Sequence, residues 1–273
     1  MQDPNSVSAL AILFMVVTLL ISFGVPIGLA IWAKNKYRNN FSFIPLLGGI
    51  LGFVIAQFLV RGIIQANILP LFGWYQNLTK ISLLFAVFQS YLAGLVEEPA
   101  RFVVFAILHK RRQYPDGLSY GIGHGGIEAI LIVGLTYVNN LVLSLIINSG
   151  GSALTQVPAS LMSFLTTTTP YIFGVAGLER VFAIALQIAL SLFVLKGFQV
   201  NKKWLYLVVA ILIHGTANFG ALYLGSLGKT VVSSSPELGS IIFGEGFLLI
   251  VAVLSVLFIV GQAKAWRKSQ PAH

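Results

Sequence analysis

The sequence predicts an all-α fold, a polytopic membrane bundle of about seven transmembrane helices, and three observations predict it. Of 273 residues, 57% are hydrophobic and only 9% charged, with a mean hydropathy of +0.89, whereas a soluble domain carries about a quarter charged residues. The apolar residues fall in runs long enough to cross ~30 Å of hydrocarbon, which takes about 20 helical residues. The basic residues gather on alternate connections between those runs.

In chain order the spans are expected near 7–33, 43–68, 81–108, 118–147, 171–196, 204–225 and 240–262. No basic stretch precedes the first run, so it reads as a retained span and not a cleaved signal. Lys34, Lys36 and Arg38 follow the first span, Lys110, Arg111 and Arg112 the third, Lys196, Lys202 and Lys203 the fifth, and Lys264, Arg267 and Lys268 the seventh. The opposite connections hold Lys80 and Lys229. The asymmetry predicts an N-terminus outside and a cytoplasmic C-terminus. It also accounts for the net charge of +9 without a nucleic-acid partner. With no cysteine, disulfides and thiolate metal sites are excluded. Residues 1–273 read as a single integral membrane domain with a motif-bearing core at about 81–225. The uncharged connection Asn148–Pro170 has an apolar part, Val157–Leu165, expected to lie along the interface or dip into the protein. The tail Ser269–His273 is expected to fray.

Against this apolar background, Glu97-Glu98-Pro99-Ala100-Arg101 stands out. Ions at that depth cost several kcal/mol unless they meet one another or a polar cavity, so they point to function. Pro99 is expected to break the helix locally. Counted at ~1.5 Å per residue from the basic ends, Glu97 and Glu98 lie roughly 15 Å deep. By the same count, His124 and Glu128 lie about 9–15 Å deep and His214 and Asn218 about 15–21 Å. Three helices thus bring polar pairs to one level. Each pair, Glu97/Arg101, His124/Glu128 and His214/Asn218, is spaced i,i+4 on one face. The glycines of Tyr120-Gly-Ile-Gly-His124-Gly-Gly permit close backbone approach. A second polar level, with Arg61, Glu179, Arg180 and Glu245, reads as structural, pairing Arg61 with Glu179 and Arg180 with Glu245.

A carboxylate beside a histidine, with an arginine fixing its rotamer, can act as general base on water. A second histidine and an amide can stabilise an oxyanion. The set suits amide hydrolysis on a membrane-embedded or juxtamembrane peptide substrate in the bilayer, with water arriving from the cytoplasmic side.

At these residues the sequence resembles the intramembrane protease superfamily of prenyl-protein (CAAX) endopeptidases and bacteriocin-processing enzymes. Those families carry a Glu-Glu/Arg segment, an aromatic-xxx-His segment and a His-xxx-Asn segment. Here these read Glu97-Glu98-Pro-Ala-Arg101, Tyr120-Gly-Ile-Gly-His124 and His214-Gly-Thr-Ala-Asn218. The wider pattern, with GHGGIEA and the Glu-Arg of the fifth span, most resembles the bacterial YhfC family, described as glutamic-type and formerly as metallo-type intramembrane peptidases. The resemblance implies a multi-pass protein of the bacterial cell membrane. It also implies that Glu97 activates water with His124 assisting, that His214 and Asn218 stabilise the oxyanion, and that Glu98 and Arg101 orient the base. Tyr120 and Glu128 would be accessory. Arg101 lies one residue closer to the acidic pair than in the CAAX enzymes, which leaves either Glu97 or Glu98 as the base. The leading expectation is a protease without cofactor. The alternative within enzymes is a zinc peptidase holding its ion on His124, His214, Glu97 and Glu128, although HExxH is absent. Outside enzymes, the cluster would suit a proton or ion relay in a transporter, with helices interrupted at Pro99 and between Gly117 and Gly126. A scaffold role would leave the buried charges unexplained.

Overall fold

The computed structural model describes residues 6–270. Among the described residues the chain is helical, with no strand. Helix α1 (Ala9–Tyr37) starts where Ser8 Oγ accepts the Ala11 amide at 3.1 Å, and its last turn carries Lys34 and Lys36. Both features suit the helix dipole and its unpaired end groups. Helix α2 (Phe43–Leu71) is capped by Ser42 and widens into π-type turns at Ile55–Arg61 and Ile64–Ile68. A short α3 (Gly73–Leu78) leads to α4 (Ser82–Ile107). Gln113 and Asp116 form a reciprocal capping box that opens α5 (Tyr114–Ser149); this helix has a π segment at Ala129–Gly134, just after Glu128. Helices α6 (Ala159–Thr167), α7 (Pro170–Gln199), α8 (Lys203–Val231) and α9 (Pro236–Lys268) complete the chain.

Six of these helices, α1, α2, α5, α7, α8 and α9, are long and apolar enough to cross a membrane. The third expected span is α4, whose 26 residues would suffice by length. It falls short in apolarity because it carries Gln89, Glu97, Glu98 and Arg101. Large side chains such as Leu20, Leu145 and Leu254 are more than 60% exposed, which marks the lipid-facing perimeter of an integral multi-pass protein. In α7, by contrast, 67% of the most apolar stretch is buried, against 17–33% in the other five spans, so α7 is the central helix.

The glycines of α5 do not interrupt it. They let it touch two neighbours backbone to backbone. A Cβ on Gly121 would sit 2.5 Å from Ile188 Cα of α7, and one on Gly123 would sit 2.1 Å from the Leu46 carbonyl of α2. This wedging fixes the height and rotation of α5, and therefore of His124. Nor does Pro99 break α4, which runs unbroken through it. The ring removes only the amide that would serve the Leu95 carbonyl one turn earlier. The connection after α5 dips inward, as one of its two expected alternatives had it: Val157 and Leu165 are buried in a cluster with Val7, Met15 and Phe173.

The two ends of the bundle differ. At the end carrying the basic loops, aromatic rings pack beneath the cluster: Tyr37 lies 5.7 Å from Tyr114 and 5.6 Å from Trp266, and Phe105 lies 4.8 Å from Tyr120, between ring centroids; a pocket of ≈ 380 Å³ beside Tyr114, Lys196 and Trp266 does not reach the cluster. At the opposite end a cavity of ≈ 490 Å³ opens between α4, α7, α8 and α9.

Candidate active site

The structure brings Glu97, Glu98, Arg101, His124 and His214 into one contiguous cluster, each side chain almost fully buried. The acidic pair divides at the backbone. Glu98 accepts both contacts of Arg101 Nη1, at 2.7 and 2.6 Å, and pairs with His214 Nδ1 at 2.8 Å. Glu97 turns the other way. Its Oε2 lies 2.9 Å from His124 Nε2 and 4.0 Å from His214 Nε2, and its Oε1 accepts Gln57 Nε2 at 2.8 Å. The expected Glu97/Arg101 pair is therefore replaced by Glu98/Arg101 at i,i+3. Either spacing brings two residues onto one helix face, and Glu97 is already engaged by α5 and α2.

Two glutamines that sequence reasoning passed over complete the cluster. Gln187 of α7 accepts Arg101 Nη2 through its oxygen, and its nitrogen donates to Glu128 Oε2 at 2.9 Å and to Glu97 Oε2 at a long 3.4 Å. Gln57 reaches Glu97 from α2. The signal that could have found them is depth: both are neutral amides inside apolar spans at the level of the acidic pair, where polar side chains need partners.

Glu128, an accessory residue in the sequence reading, faces Glu97 and His124. Ligand atoms of these three side chains all lie within 4.8 Å of one another. Of the four expected zinc ligands, His214 is the one outside this group: its Nδ1 is engaged by Glu98 and its Nε2 lies 4.0 Å from Glu97 Oε2. Tyr120 stacks against His124 at 5.9 Å and lies beneath the Arg101 guanidinium at 5.8 Å. It is packing beneath the cluster. Asn218, one turn beyond His214, lines the cavity and has no hydrogen bond to the cluster.

The second polar level pairs differently from expectation. Arg180 binds Glu128 at 3.1 Å and also its own neighbour Glu179; the guanidinium is long enough to curl back along the helix. Arg61 does not meet Glu179. It donates to Gln65 at 2.9 Å, to Gln57 at 3.2 Å and to Gln89 at 3.3 Å. Counting residues gives a side chain's depth but not its direction around the helix axis, and direction decided both pairings.

The cavity begins at His214, Gln187 and Glu128 and runs past Arg61, Arg180 and Glu245 to the exposed Ser226 and Lys229. It leads away from the basic loops. Access from the loop side is blocked by Arg101, Phe105 and Tyr120, all fully buried. This corrects the expectation that water arrives from the basic-loop side.

No solved structure matches this chain. Over 262 residues it is 32% identical to a Bacillus subtilis (strain 168) protein described as uncharacterized membrane protein YhfC, covering 93% of this chain and 97% of that one. The family described as YhfC intramembrane metalloprotease matches residues 21–233, which include every residue of the cluster. The chain belongs to that family, the YhfC intramembrane metalloproteases.

Proposed function

We propose that this intramembrane protease hydrolyses a peptide bond of a membrane-embedded or juxtamembrane substrate with Glu97 as general base on water. One observation carries the reading: Glu98 is committed to Arg101 and His214, whereas Glu97 has no lysine or arginine within salt-bridge reach among the described residues. The 4.0 Å between Glu97 Oε2 and His214 Nε2 is too long for a hydrogen bond and short enough for one water to bridge. Glu97 takes a proton from that water and the oxygen adds to the scissile carbonyl carbon. The C–N bond then breaks as the departing nitrogen receives the proton. With both ring nitrogens protonated, His214 keeps Nδ1–H on Glu98 and offers Nε2–H to the oxyanion, and Asn218 adds an amide donor from the cavity wall. Glu98 and Arg101 hold His214 in place. With the basic loops cytoplasmic, the cavity admits water from the outer side.

A second reading has an observation of its own. Glu97, His124 and Glu128 offer one nitrogen and two carboxylate oxygens within 4.8 Å, a donor set that suits a zinc-like divalent ion. Those three residues would hold it. When bound, such an ion polarises a carbonyl or activates water. His124 Nδ1 has no partner among the described residues, so the outer support usual for a metal-bound imidazole is missing on that side.

Purified protein in nanodiscs distinguishes the two. On the first reading, Glu97→Ala, His124→Ala and His214→Ala each abolish cleavage of a membrane-peptide pool while the fold persists, and chelator leaves the wild type active. Retained cleavage in all three variants would end it. Stoichiometric zinc, lost together with activity on chelation, would favour the second.

A further inference from the structure

Glu97 is held by two amides, and each amide is held by an arginine. An arginine carries only donors, so whatever amide it meets must present its oxygen. Arg61 Nη1 takes the Gln57 oxygen at 3.2 Å, which leaves the Gln57 nitrogen to Glu97 Oε1 at 2.8 Å. Arg101 Nη2 takes the Gln187 oxygen, which leaves that nitrogen to Glu97 and Glu128. The same device thus appears twice, on opposite sides of one carboxylate. Arg61 is itself fixed by Gln65 and Gln89. Gln57 and Arg61 both lie in the π-type segment of α2, and such widened turns favour functional sites.

We infer that Arg61 is a positioning residue acting through Gln57: by taking the amide oxygen, it forces the amide nitrogen onto Glu97 Oε1 and so aims Oε2 at His124 and the cavity. Without Arg61 the amide is free to flip, and its carbonyl would then oppose the carboxylate. The role deepens the general-base reading and rests on it. It extends the working set to α2, which carries none of the three motifs.

The test uses the full chain in nanodiscs with glutamine side chains labelled with ¹⁵N. In the wild type the side-chain N–H groups that Gln57 and Gln187 donate to carboxylates resonate downfield and exchange slowly with solvent, and the test follows the Gln57 signal. It disappears in Gln57→Met, which assigns it. In Arg61→Met it moves upfield and exchanges freely, while Arg61→Lys, which keeps a donor for the amide oxygen, preserves it. Turnover of a membrane-peptide pool supplies a second readout. Gln57→Met and Arg61→Met each lower kcat about tenfold with KM unchanged, and the double variant loses no more than either single one. An unchanged Gln57 signal in Arg61→Met, or additive losses in the double variant, overturns the proposal. The amide signal needs no catalysis. A wild type that cleaves nothing therefore counts against the protease reading, and the signal still decides the role of Arg61.

Discussion

Immediately below Glu97, toward the basic loops, the bundle is closed, and the ≈ 380 Å³ pocket at that end has no cluster residue in its lining; above Glu97, toward Lys229, the bundle is open. The closed half is built from rings and from glycines that let helices touch, with Phe105 and Tyr120 at 4.8 Å and Gly121 against Ile188. The open half is lined by Ser90, Glu128, Asn218, Ser226 and Ser240 around the ≈ 490 Å³ cavity. The same seven helices make both halves, so the difference lies in side chains. The contrast teaches that the ionic cluster is a floor, with a wall of packed aromatics beneath it and water-compatible space above it. Hydrolysis needs both: a dry side that fixes the groups and a wet side that supplies the reactant.

The most decisive way to break the contrast is by chemical accessibility, and the absence of cysteine makes it clean. Ser226→Cys, exposed at the cavity rim, should react with a water-soluble maleimide. Leu118→Cys, 3% exposed in the closed half, should not. Labelling of Leu118→Cys at a rate comparable to Ser226→Cys would mean that the closed half is wet. A membrane-impermeant reagent applied to one face at a time would also report on which side the cavity opens.

The next largest effect concerns the floor. Arg101→Met leaves Glu98 buried with its guanidinium partner gone, and breaking such a pair costs about 3–5 kcal/mol. The expected result is a marked fall in the detergent melting temperature. Adding Glu98→Gln should recover part of it, since the buried carboxylate left with His214 alone is then neutral. A variant as stable as wild type would show that water already reaches Arg101, contradicting its full burial.

A milder pair compares the halves directly. Gly121→Val drives a side chain into the backbone of α7, where the first added atom would sit 2.5 Å from Ile188 Cα, and overpacking of this kind costs about 1–3 kcal/mol. A Cβ on Gly225 in the open half would come no nearer than 3.2 Å, to Ser240 Oγ, with the Ser240 carbonyl at 3.6 Å and Gly244 Cα at 3.9 Å, so Gly225→Val should cost less. Equal destabilisation would deny that the halves are packed differently.

How far the sequence announced this arrangement follows from what each residue contrasts with. Glu97, Glu98, Arg101, His124 and His214 were legible because ionisable groups in apolar runs are conspicuous, and counting along helices put them at one depth. Gln57 and Gln187 were not, because a lone amide in a long apolar run resembles an ordinary interhelical contact. The pairings of Arg61 and Arg180 went astray for a geometric reason. Hydropathy gives where a helix crosses but not how it is rotated, and the π segments of α2 and α5 shift that rotation further. The side on which the cavity opens depended on small residues such as Gly225 and Gly244, whose meaning appears only once α8 and α9 are packed.

The smallest expected effect tests whether the closed half is a passive wall. Asp116 lies at the far end of α5, almost fully buried, accepting the Gln113 amide at 3.0 Å as half of the capping box. Asp116→Ala removes that cap, at a cost of about 1 kcal/mol in stability, the usual loss for a helix cap. His124 lies two turns further along the same helix, held by the backbone contacts of Gly121 and Gly123 that the substitution does not touch. The melting temperature should therefore fall slightly, while kcat and the maleimide reactivity of Ser226→Cys stay at their wild-type values. A fall in kcat larger than the loss of folded protein would show that the start of α5 transmits strain to His124. The lower half would then be part of the catalytic device and not only its floor.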